Sequence, residues 1–452
     1  MRSWWIHSLL AVPAVLRLAI EVLTNPLTVG FDTLAYYYPY LVGFDRYSPL
    51  ELYGYSPLYY VAAVAVNAVT GNPMLTVKTL AVALQALFTA SLYAWASRRV
   101  GSARGVVYAL AVSLYFPVLR IEWDLHRNVL GLALALLTAR ALNRGQSPRN
   151  YILALALAAL TALAHPIGVL VLTAILIPRL TERRREAIYV LVALWLVEVS
   201  VIAAGLATGS SYISKAVTCN TQLPHGLEVL ELALYTTLPV LPLVVVGLRR
   251  GWRELDLALW SAMCVVVAPL IAAGYRLTLT LAIPALMYVA IGGRRALGAA
   301  LAISAAMAAL YVAMPPSNPF TYFAKPFMWR DSFKYAVPTS FMQNTIPLSW
   351  GSDALHIARE AVKASNRGLL VTDRVLLPYA LMAGRASDIT VCGEVASAQA
   401  VNECLTNTNA TYLLRLRGSC RWYGITNDVG GTEVLAIGCI GLYQVKQLYA
   451  GD

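Results

Sequence analysis

Charged residues are scarce in this chain. Only 13% of its 452 residues are Asp, Glu, Lys or Arg, whereas a soluble globular protein has roughly 25%. Hydrophobic residues make up 59%, and the mean hydropathy is +0.62. This composition excludes an ordinary soluble protein and predicts a polytopic α-helical membrane protein. The net charge of +12 does not indicate nucleic acid, because the arginines cluster in short loops between apolar runs.

Common catalytic motifs are absent as well. The sequence has no Walker loop, no GxGxxG at the start of a helix, no HExxH, no CxxC and no GxSxG. The reaction class therefore has to be sought in isolated polar residues within and between the apolar runs.

About eleven apolar runs are candidate transmembrane helices. The first carries Arg17 and Glu21, four residues apart, and is interpreted as a retained helix and not a cleaved signal peptide. This pair would face either the bundle interior or its outer end. The runs lie near residues 3–23, 73–97, 104–119, 128–143, 150–164, 165–178, 186–206, 228–248, 255–274, 277–292 and 296–314.

The arginine clusters predict the orientation. Counting spans puts all of them on the side of Met1, which is therefore expected to be cytoplasmic. All clusters fall on one side only if the segment 55–70, about 24 Å long as a helix, does not cross the membrane. It would then lie in a first external loop from about 24 to 72. The clusters are Arg98, Arg99 and Arg104; Arg140, Arg144 and Arg149; Arg179 with Arg183–Arg185; Arg249, Arg250 and Arg253; Arg294 and Arg295.

The sequence becomes more polar after Pro315. Helical and strand patterns then alternate, which predicts a small external α/β domain over 315–452, after a membrane domain over 1–314. The predicted helices are 353–365, 376–382 and 396–405; the predicted strands are 368–372, 388–391, 410–416 and a pair within 433–445. Four cysteines in this domain allow three disulfide pairings, with sequence neighbours favoured: Cys392, Cys404, Cys420 and Cys439.

The segment RIEWDLHRN, residues 120–128, concentrates ionisable side chains between two apolar runs. Charge at membrane depth is costly and suggests a functional site. Glu122 and Asp124 are two residues apart, so in an extended or turn segment their carboxylates can converge on a divalent cation, Mn²⁺ or Mg²⁺. The alternative is an external loop in which the two acids pair with Arg120 and Arg127.

Asp32 is the second acidic landmark, in GFDTLAYYYPY after the first apolar run. It could supply a further metal ligand or a general base. The alternative is that Asp32 caps the start of a helix beginning at Thr33.

Basic residues at the external ends of later runs are candidates for substrate binding. Arg276 opens the tenth run, where its fork of donors suits a lipid phosphate, although it could be only an interfacial anchor. His165 precedes Pro166 at a helix break and could contact a polar head group, or it could have a purely structural role. His126 and Arg127 belong to the same candidate set.

The order of these features resembles the GT-C superfamily of integral-membrane glycosyltransferases, which includes oligosaccharyltransferases, protein mannosyltransferases and aminoarabinose transferases. The shared features are a cytoplasmic start, a first external loop with Gly-Phe-Asp, an acidic pair in the second external loop, and an external C-terminal domain. The resemblance matches Asp32 to the first-loop acid, Glu122 and Asp124 to the acidic pair, and Arg276 to an arginine that meets the lipid phosphate. The WWDYG motif of oligosaccharyltransferases is absent, which favours transfer of a single sugar.

The resemblance implies a multi-pass glycosyltransferase of the cell membrane. It would transfer a sugar from a polyprenyl-phosphate donor to a glycan, protein or lipid acceptor at the external face. Competing hypotheses are a transporter or flippase whose path is lined by Arg17, Glu21 and Glu198, and a catalytically silent envelope scaffold. The expected catalytic residues are Asp32, Glu122 and Asp124, with Glu122 and Asp124 also as metal ligands; the expected substrate-binding residues are His126, Arg127, His165 and Arg276.

Overall fold

The computed structural model describes residues 5–43, 48–143, 147–181, 184–209, 223–272, 274–313, 345–365, 370–372, 375–384, 386–391, 411–417 and 431–445. In chain order its helices are α1 Trp5–Ser8, α2 Val12–Leu23, α3 Tyr38–Val42, α4 Pro49–Gly54, α5 Leu58–Thr70, α6 Pro73–Val100, α7 Ser102–Ser113, α8 Phe116–Asp124, α9 His126–Leu142, α10 Pro148–Ala164, α11 Pro166–Leu176, α12 Arg184–Ala207, α13 Leu223–Thr237, α14 Leu241–Gly251, α15 Leu255–Ala262, α16 Gly274–Leu279, α17 Ala282–Gly292, α18 Arg294–Ala313, α19 Gly351–Ala364 and α20 Leu377–Ala383. The strands are β1 Leu370–Thr372, β2 Ile389–Val391, β3 Tyr412–Leu416, β4 Gly431–Ile437 and β5 Ile440–Val445.

Within these described residues, five helical segments are long and apolar enough to cross a membrane. They are Ile6–Leu23, Pro73–Val100, Arg185–Ala207, Gly226–Gly251 and Gly274–Gly292. A sixth span results if α7 and α8, which are bent by 71° at the break between them, count as one broken span. The protein is therefore a polytopic, mostly helical membrane protein, while the count of eleven spans stays a prediction.

Helix α2 has the inside-out arrangement of a helix in lipid. Val15, Leu18 and Val22 are between 51% and 66% exposed, whereas Arg17 and Glu21 are 0% and 3% exposed. Apolar side chains can face hydrocarbon at no cost, but charges at that depth need partners within the protein. Of the two positions expected for the Arg17–Glu21 pair, the structure shows the interior one.

Helix α5 lies within the segment 55–70, whose position outside the membrane stays a prediction. It has 13 residues, and its length of about 20 Å is too short for a hydrocarbon core of roughly 30 Å. Its Tyr59, Tyr60 and Ala63 are buried, while Val61 and Val69 are exposed. This two-sided pattern suits a helix that lies along a surface.

The chain divides into two compact units, and neither is continuous in sequence. The first comprises Met1–Val22, Tyr47–Gly71 and Lys78–Ala313; the second comprises Leu23–Arg46, Asn72–Val77 and Met314–Asp452. The expected external loop at 24–72 is therefore shared between them. Its first part, which contains Asp32, is grouped with the C-terminal sheet; the domains 1–314 and 315–452 stay a prediction.

The second unit contains a five-stranded sheet in the order β2-β1-β3-β5-β4. Strand β1 pairs in parallel with β2 and β3, and β5 pairs antiparallel with β3 and β4. Helix α19 buries one stripe in the core of this unit, because Ala354, Ile357, Ala358 and Ala361 recur at helical spacing and are all 0% exposed. Leu27, from the first loop, is part of the same core.

The elements expected after residue 345 agree closely with those observed. The helix expected at 353–365 is α19, and the strands expected at 368–372, 388–391 and 410–416 are β1, β2 and β3. The helix expected at 396–405 lies outside the described residues. So do Cys392, Cys404 and Cys420, which leaves the disulfide pairing with Cys439 as a prediction.

Candidate active site

The acidic segment is helical, which corrects the expected extended or turn conformation. Helix α8 ends at Asp124, Leu125 has φ −102° and ψ 60°, and α9 begins at His126. Side chains two residues apart on a helix point in directions roughly 200° apart. Glu122 and Asp124 are therefore directed to different surroundings instead of converging on one point.

Glu122 lies inside a polar network of the first unit. It is 1% exposed, and its Oε2 accepts a hydrogen bond from Gln85 Nε2 of α6. The Ser113 hydroxyl and the Arg17 guanidinium also act on this carboxyl group. Glu122 thus contributes to the contacts among α2, α6, α7 and α8.

Asp124 has a different partner. Its Oδ2 forms an ion pair with Arg120, one turn earlier in α8. Asp124 is 2% exposed and the Arg120 side chain is 21% exposed, so this pair is closer to solvent on the arginine side. The alternative pairing of the acids with Arg120 is correct for Asp124, and Arg127 donates to a backbone carbonyl, that of Tyr55.

The expected metal site fits this geometry poorly. Across the part of the chain that the structure describes, no group of three or more His, Cys, Asp and Glu side chains could hold a metal ion. Glu122 accepts a hydrogen bond from the neutral amide of Gln85 and Asp124 forms an ion pair with Arg120, so both carboxylates already have protein partners. We derive no step that requires Mn²⁺ or Mg²⁺.

His126 and Arg127 open α9 and both contact the end of the first loop. His126 Nδ1 is 3.0 Å from the Tyr59 hydroxyl. Arg127 donates to the Tyr55 carbonyl, and its Cζ lies 5.5 Å from the centroid of the Tyr60 ring. The two side chains therefore attach the acidic segment to α5 and to the turn before it.

The turn before α5 is held in place by its own sequence. Ser48 and Glu51 form a capping box at the start of α4. Gly54 packs so closely on α12 that a Cβ there would lie 2.6 Å from the Gly205 backbone. Ser56, 1% exposed, then adopts the left-handed region with φ 58°, a strained conformation for a residue other than glycine that is enriched at functional sites. It reverses the chain between Tyr55, the carbonyl partner of Arg127, and α5.

His165 lies at the break between α10 and α11. It is 4% exposed, and its Nδ1 accepts a hydrogen bond from the Ile167 amide at 3.1 Å. Helix α11 can approach α9 here because Gly168 has no side chain; a Cβ would lie 2.7 Å from the Gly131 carbonyl oxygen. The histidine has a structural role as a helix cap, as its alternative interpretation expected.

Two arginines have an electrostatic effect on this histidine. Arg127 and Arg276 both act electrostatically on the His165 ring, although they are far apart in sequence. Arg276 is partly buried in α16, its Nε donates to the Tyr275 hydroxyl at 3.1 Å, and its Cζ lies 5.7 Å from that ring. Of the four residues expected to bind substrate, Arg127, His165 and Arg276 are therefore linked electrostatically, while His126 contacts Tyr59; a common substrate site stays a prediction.

Asp32 belongs to the second unit and is described there by itself. It is 8% exposed and precedes a π-helical turn over Thr33–Tyr37. Its backbone is helical, with φ −62° and ψ −27°, and its side chain does not cap the turn. The interpretation of Asp32 as an N-cap residue is therefore wrong.

Sequence reasoning did not identify two residues of the network, Lys78 and Gln85. They are seven apart and so share one face of the 28-residue helix α6. Lys78 Nζ donates to the Glu21 carbonyl at 2.8 Å, and Gln85 Oε1 accepts from Trp123 Nε1 at 3.2 Å. Their spacing in an otherwise apolar run was the available signal.

The fold is that of the GT-C superfamily of glycosyltransferases. This confirms, at the level of the fold, the resemblance inferred from motif order. No protein-family model matches the sequence, and no curated protein matches it either.

Among solved structures, the chain is similar to ArnT from Cupriavidus metallidurans. The form bound to undecaprenyl phosphate aligns over 100% of both chains with a TM-score of 0.61 and 13% identity. The apo form aligns over 97% of this chain and 98% of ArnT, with a TM-score of 0.58 and 13% identity. The arabinofuranosyltransferase AftD from Mycobacteria gives a TM-score of 0.53 at 14% identity, over 98% of this chain and 40% of AftD.

Proposed function

We propose that this protein is a membrane glycosyltransferase that takes a sugar from a polyprenyl-phosphate-linked donor. The observation that carries the proposal is the similarity of the fold to ArnT over the full length of both chains, and Arg127 and Arg276, which are buried and partly buried, are candidate partners of the donor phosphate. A guanidinium group held away from water can bind a phosphate through a fork of charge-assisted hydrogen bonds. The complex of ArnT with undecaprenyl phosphate supports a lipid phosphate as the anion.

His165 adds a third donor to this phosphate site. Because its Nδ1 accepts the Ile167 amide hydrogen, the proton of a neutral ring is carried by Nε2. Nε2–H can then donate to an oxygen of the phosphate. The polyprenyl tail, which is apolar, would remain among the helices of the bundle.

The reaction is a displacement at the anomeric carbon of the donor sugar. By analogy with the GT-C pattern, we assign to Asp32 the role of general base. Its carboxylate accepts the proton of the acceptor hydroxyl while the hydroxyl oxygen attacks the anomeric carbon. The bond between the anomeric carbon and the phosphate oxygen breaks, and Arg127 and Arg276 stabilise the negative charge that grows on the departing lipid phosphate.

The two acids, Glu122 and Asp124, have different roles in the proposed mechanism. We assign to Asp124, held by Arg120, the orientation of the sugar beside the phosphate site, because Arg127 follows it by three residues. Glu122, buried against Gln85, keeps the end of α8 in place. Asp124 is paired with a protein cation and Glu122 accepts a hydrogen bond from a neutral amide, and the proposed reaction uses no divalent ion.

The proposed site faces the outside of the cell membrane. This orientation rests on the arginine clusters, which put the N-terminus in the cytoplasm. The acceptor is a glycan, protein or lipid with a free hydroxyl group at that face. The C-terminal sheet unit is then extracytoplasmic.

The test is release of polyprenyl phosphate from a panel of polyprenyl-phosphate sugars by the purified full-length protein in detergent. Asp32→Asn should lower release by about 100- to 10,000-fold, the usual contribution of a general base, with an unchanged melting temperature. Arg276→Gln should weaken both donor binding and turnover. Its matched control is Arg253→Gln, since Arg253 also lies over its neighbouring aromatic ring, Trp252 at 5.0 Å, but is exposed and distant in sequence from every proposed site residue.

Other outcomes identify the competing classes. Movement of the lipid-linked sugar across vesicles without cleavage would indicate a flippase. Neither cleavage nor movement, with every donor, would indicate a scaffold. Full activity in Asp32→Asn would remove that residue from the mechanism and leave the enzyme class intact.

A further inference from the structure

Arg17 is a fully buried cation in helix α2, and its contacts join α2 to the start of α6. Its guanidinium forms an ion pair with Glu21 at 2.6 Å. The backbone carbonyl of Glu21 in turn accepts a hydrogen bond from Lys78 at 2.8 Å. A buried charge is retained only with such partners, because leaving water costs several kcal/mol per ion.

Arg17 also contacts the acidic segment. Its Cζ lies 5.4 Å from the centroid of the Trp123 ring. The edge of that ring donates from Nε1 to Gln85 Oε1 at 3.2 Å, and Gln85 Nε2 donates to Glu122. The indole is therefore held at its face by a cation and at its edge by a hydrogen bond.

These contacts define one set of residues, called here the Arg17 cluster: Arg17, Glu21, Lys78, Gln85, Glu122 and Trp123. With its acids ionised, the cluster has two positive and two negative charges. Arg17 acts electrostatically on both Glu122 and His126. Removing its charge would take from the buried Glu21 carboxylate the cation with which it forms an ion pair, which is unfavourable.

We infer that Arg17 is a positioning residue, which acts through Trp123 to orient the end of helix α8 for catalysis. Asp124 follows Trp123 directly, and α8 ends there. The orientation of the indole therefore fixes the end of α8, and with it the orientation of the Asp124 side chain and the position of Arg127 in the first turn of α9. This inference rests on the proposed function.

A second arginine of the same unit makes similar contacts elsewhere and provides a matched control. Arg99, at the other end of α6, lies 4.7 Å from the Trp95 ring and pairs with Glu254 at 2.7 Å and with Asp256. These four residues are called here the Arg99 cluster. None of them belongs to the proposed site, so their loss should affect stability alone.

The experiment compares Arg17→Gln, Arg17→Lys and Arg99→Gln in the full-length protein in detergent. Arg17→Gln should lower kcat for sugar transfer by about 100-fold, since a displacement of about 1 Å can cost that much. The donor KM should change by less than about twofold, because the interaction that is lost stabilises the transition state and not the bound donor. Arg17→Lys should recover part of kcat, and Arg99→Gln should keep kcat even where its melting temperature falls.

A second readout is independent of catalysis. Fluorine NMR of 5-fluorotryptophan-labelled protein reports on each indole, and Trp123→Phe and Trp95→Phe assign the two resonances. Arg17→Gln should shift the Trp123 resonance and leave that of Trp95 in place. Arg99→Gln should do the reverse.

A shifted Trp123 resonance together with the selective loss of kcat supports the positioning role. A shifted resonance with normal kcat overturns it and leaves the proposed function standing. Equal losses of kcat in Arg17→Gln and Arg99→Gln overturn it too, because they show a general effect of lost stability. A wild-type protein that is inactive with every donor overturns the proposed function, and this inference with it, whatever the fluorine spectra show.

Discussion

Helix α6 takes part in an arginine–tryptophan cluster near each of its ends, and the two clusters balance their charge differently. In the Arg99 cluster one guanidinium meets two carboxylates, and the arginine side chain is 15% exposed. In the Arg17 cluster the guanidinium is 0% exposed and pairs directly with one carboxylate, while a second acid is held by an amide. A buried network in which only one of two acids has a direct cationic partner should lose more stability than the Arg99 cluster when a charge is removed.

The difference separates a contact that holds helices together from one that can also direct chemistry. Arg99 joins α6 to the start of α15, and its acids sit in or next to that helix. Arg17 instead contacts a residue between the two acids of the proposed site. Matched substitutions in the two regions should therefore share a stability effect and differ in their effect on transfer.

The largest difference in sugar transfer between matched variants is expected for two aspartates, Asp124 and Asp256. Asp124→Asn and Asp256→Asn each weaken an ion pair with an arginine, Arg120 or Arg99. Asp124→Asn should lower kcat by at least about 100-fold if its carboxylate orients the donor sugar, whereas Asp256→Asn should lower only the melting temperature. Steady-state rates and thermal unfolding of both variants provide the check, and a normal rate in Asp124→Asn would contradict its assignment.

A smaller difference is expected for arginines that donate to backbone carbonyls. Arg127 donates to Tyr55, and Arg104 donates to Ala290 at 3.4 Å. Arg127→Gln should raise the donor KM by about tenfold, equivalent to about 1.4 kcal/mol of lost phosphate binding. Arg104→Gln should leave KM unchanged. Equal KM values in the two variants would exclude Arg127 from the phosphate site.

The glutamates should differ still less. Glu122→Gln keeps the shape of the side chain but changes its hydrogen bond with Gln85, a loss of about 1 kcal/mol. Transfer should fall by less than about tenfold, well short of the loss in Asp124→Asn, and Glu254→Gln should have no measurable effect on transfer. If Glu122→Gln is as inactive as Asp124→Asn, the division of roles within the acidic pair is wrong.

No effect is expected from removal of divalent ions. Because Glu122 and Asp124 are held by Gln85 and Arg120, transfer measured with a chelator should equal transfer measured with Mn²⁺ or Mg²⁺. Activity that is lost with the chelator and restored by one of these ions would show that the acids serve a metal after all.

The C-terminal sheet was largely predictable, because its signals are local. Helix α19 differs from its expected limits by no more than two residues, and its buried stripe is visible as a helical period. In the membrane part, hydropathy found the helices but missed the break at Leu114 and Tyr115. A hydropathy window averages across such a break, although Pro117 at the start of α8 marks it.

The candidate site residues can be selected from the sequence, whereas most of their contacts cannot. Glu122, Asp124, Arg127, His165 and Arg276 stand out because charge is rare in an apolar chain. Helix packing sets the partners that are distant in sequence, Gln85 for Glu122 and Tyr55 for Arg127. The helical state of the acidic segment could not be read from five ionisable side chains in nine residues, since burial and not local propensity decides it.

The membership of Leu27 in the core of the sheet unit has a consequence for biosynthesis. Leu27 is among the first residues to be made, whereas the strands with which it packs are among the last. During synthesis the Leu27 side chain cannot pack in its final core until the helical bundle has been inserted and the sheet has been made. Contacts so distant in sequence form slowly, so chains that terminate before the sheet should be recognised by quality-control proteases even when every membrane span is in place.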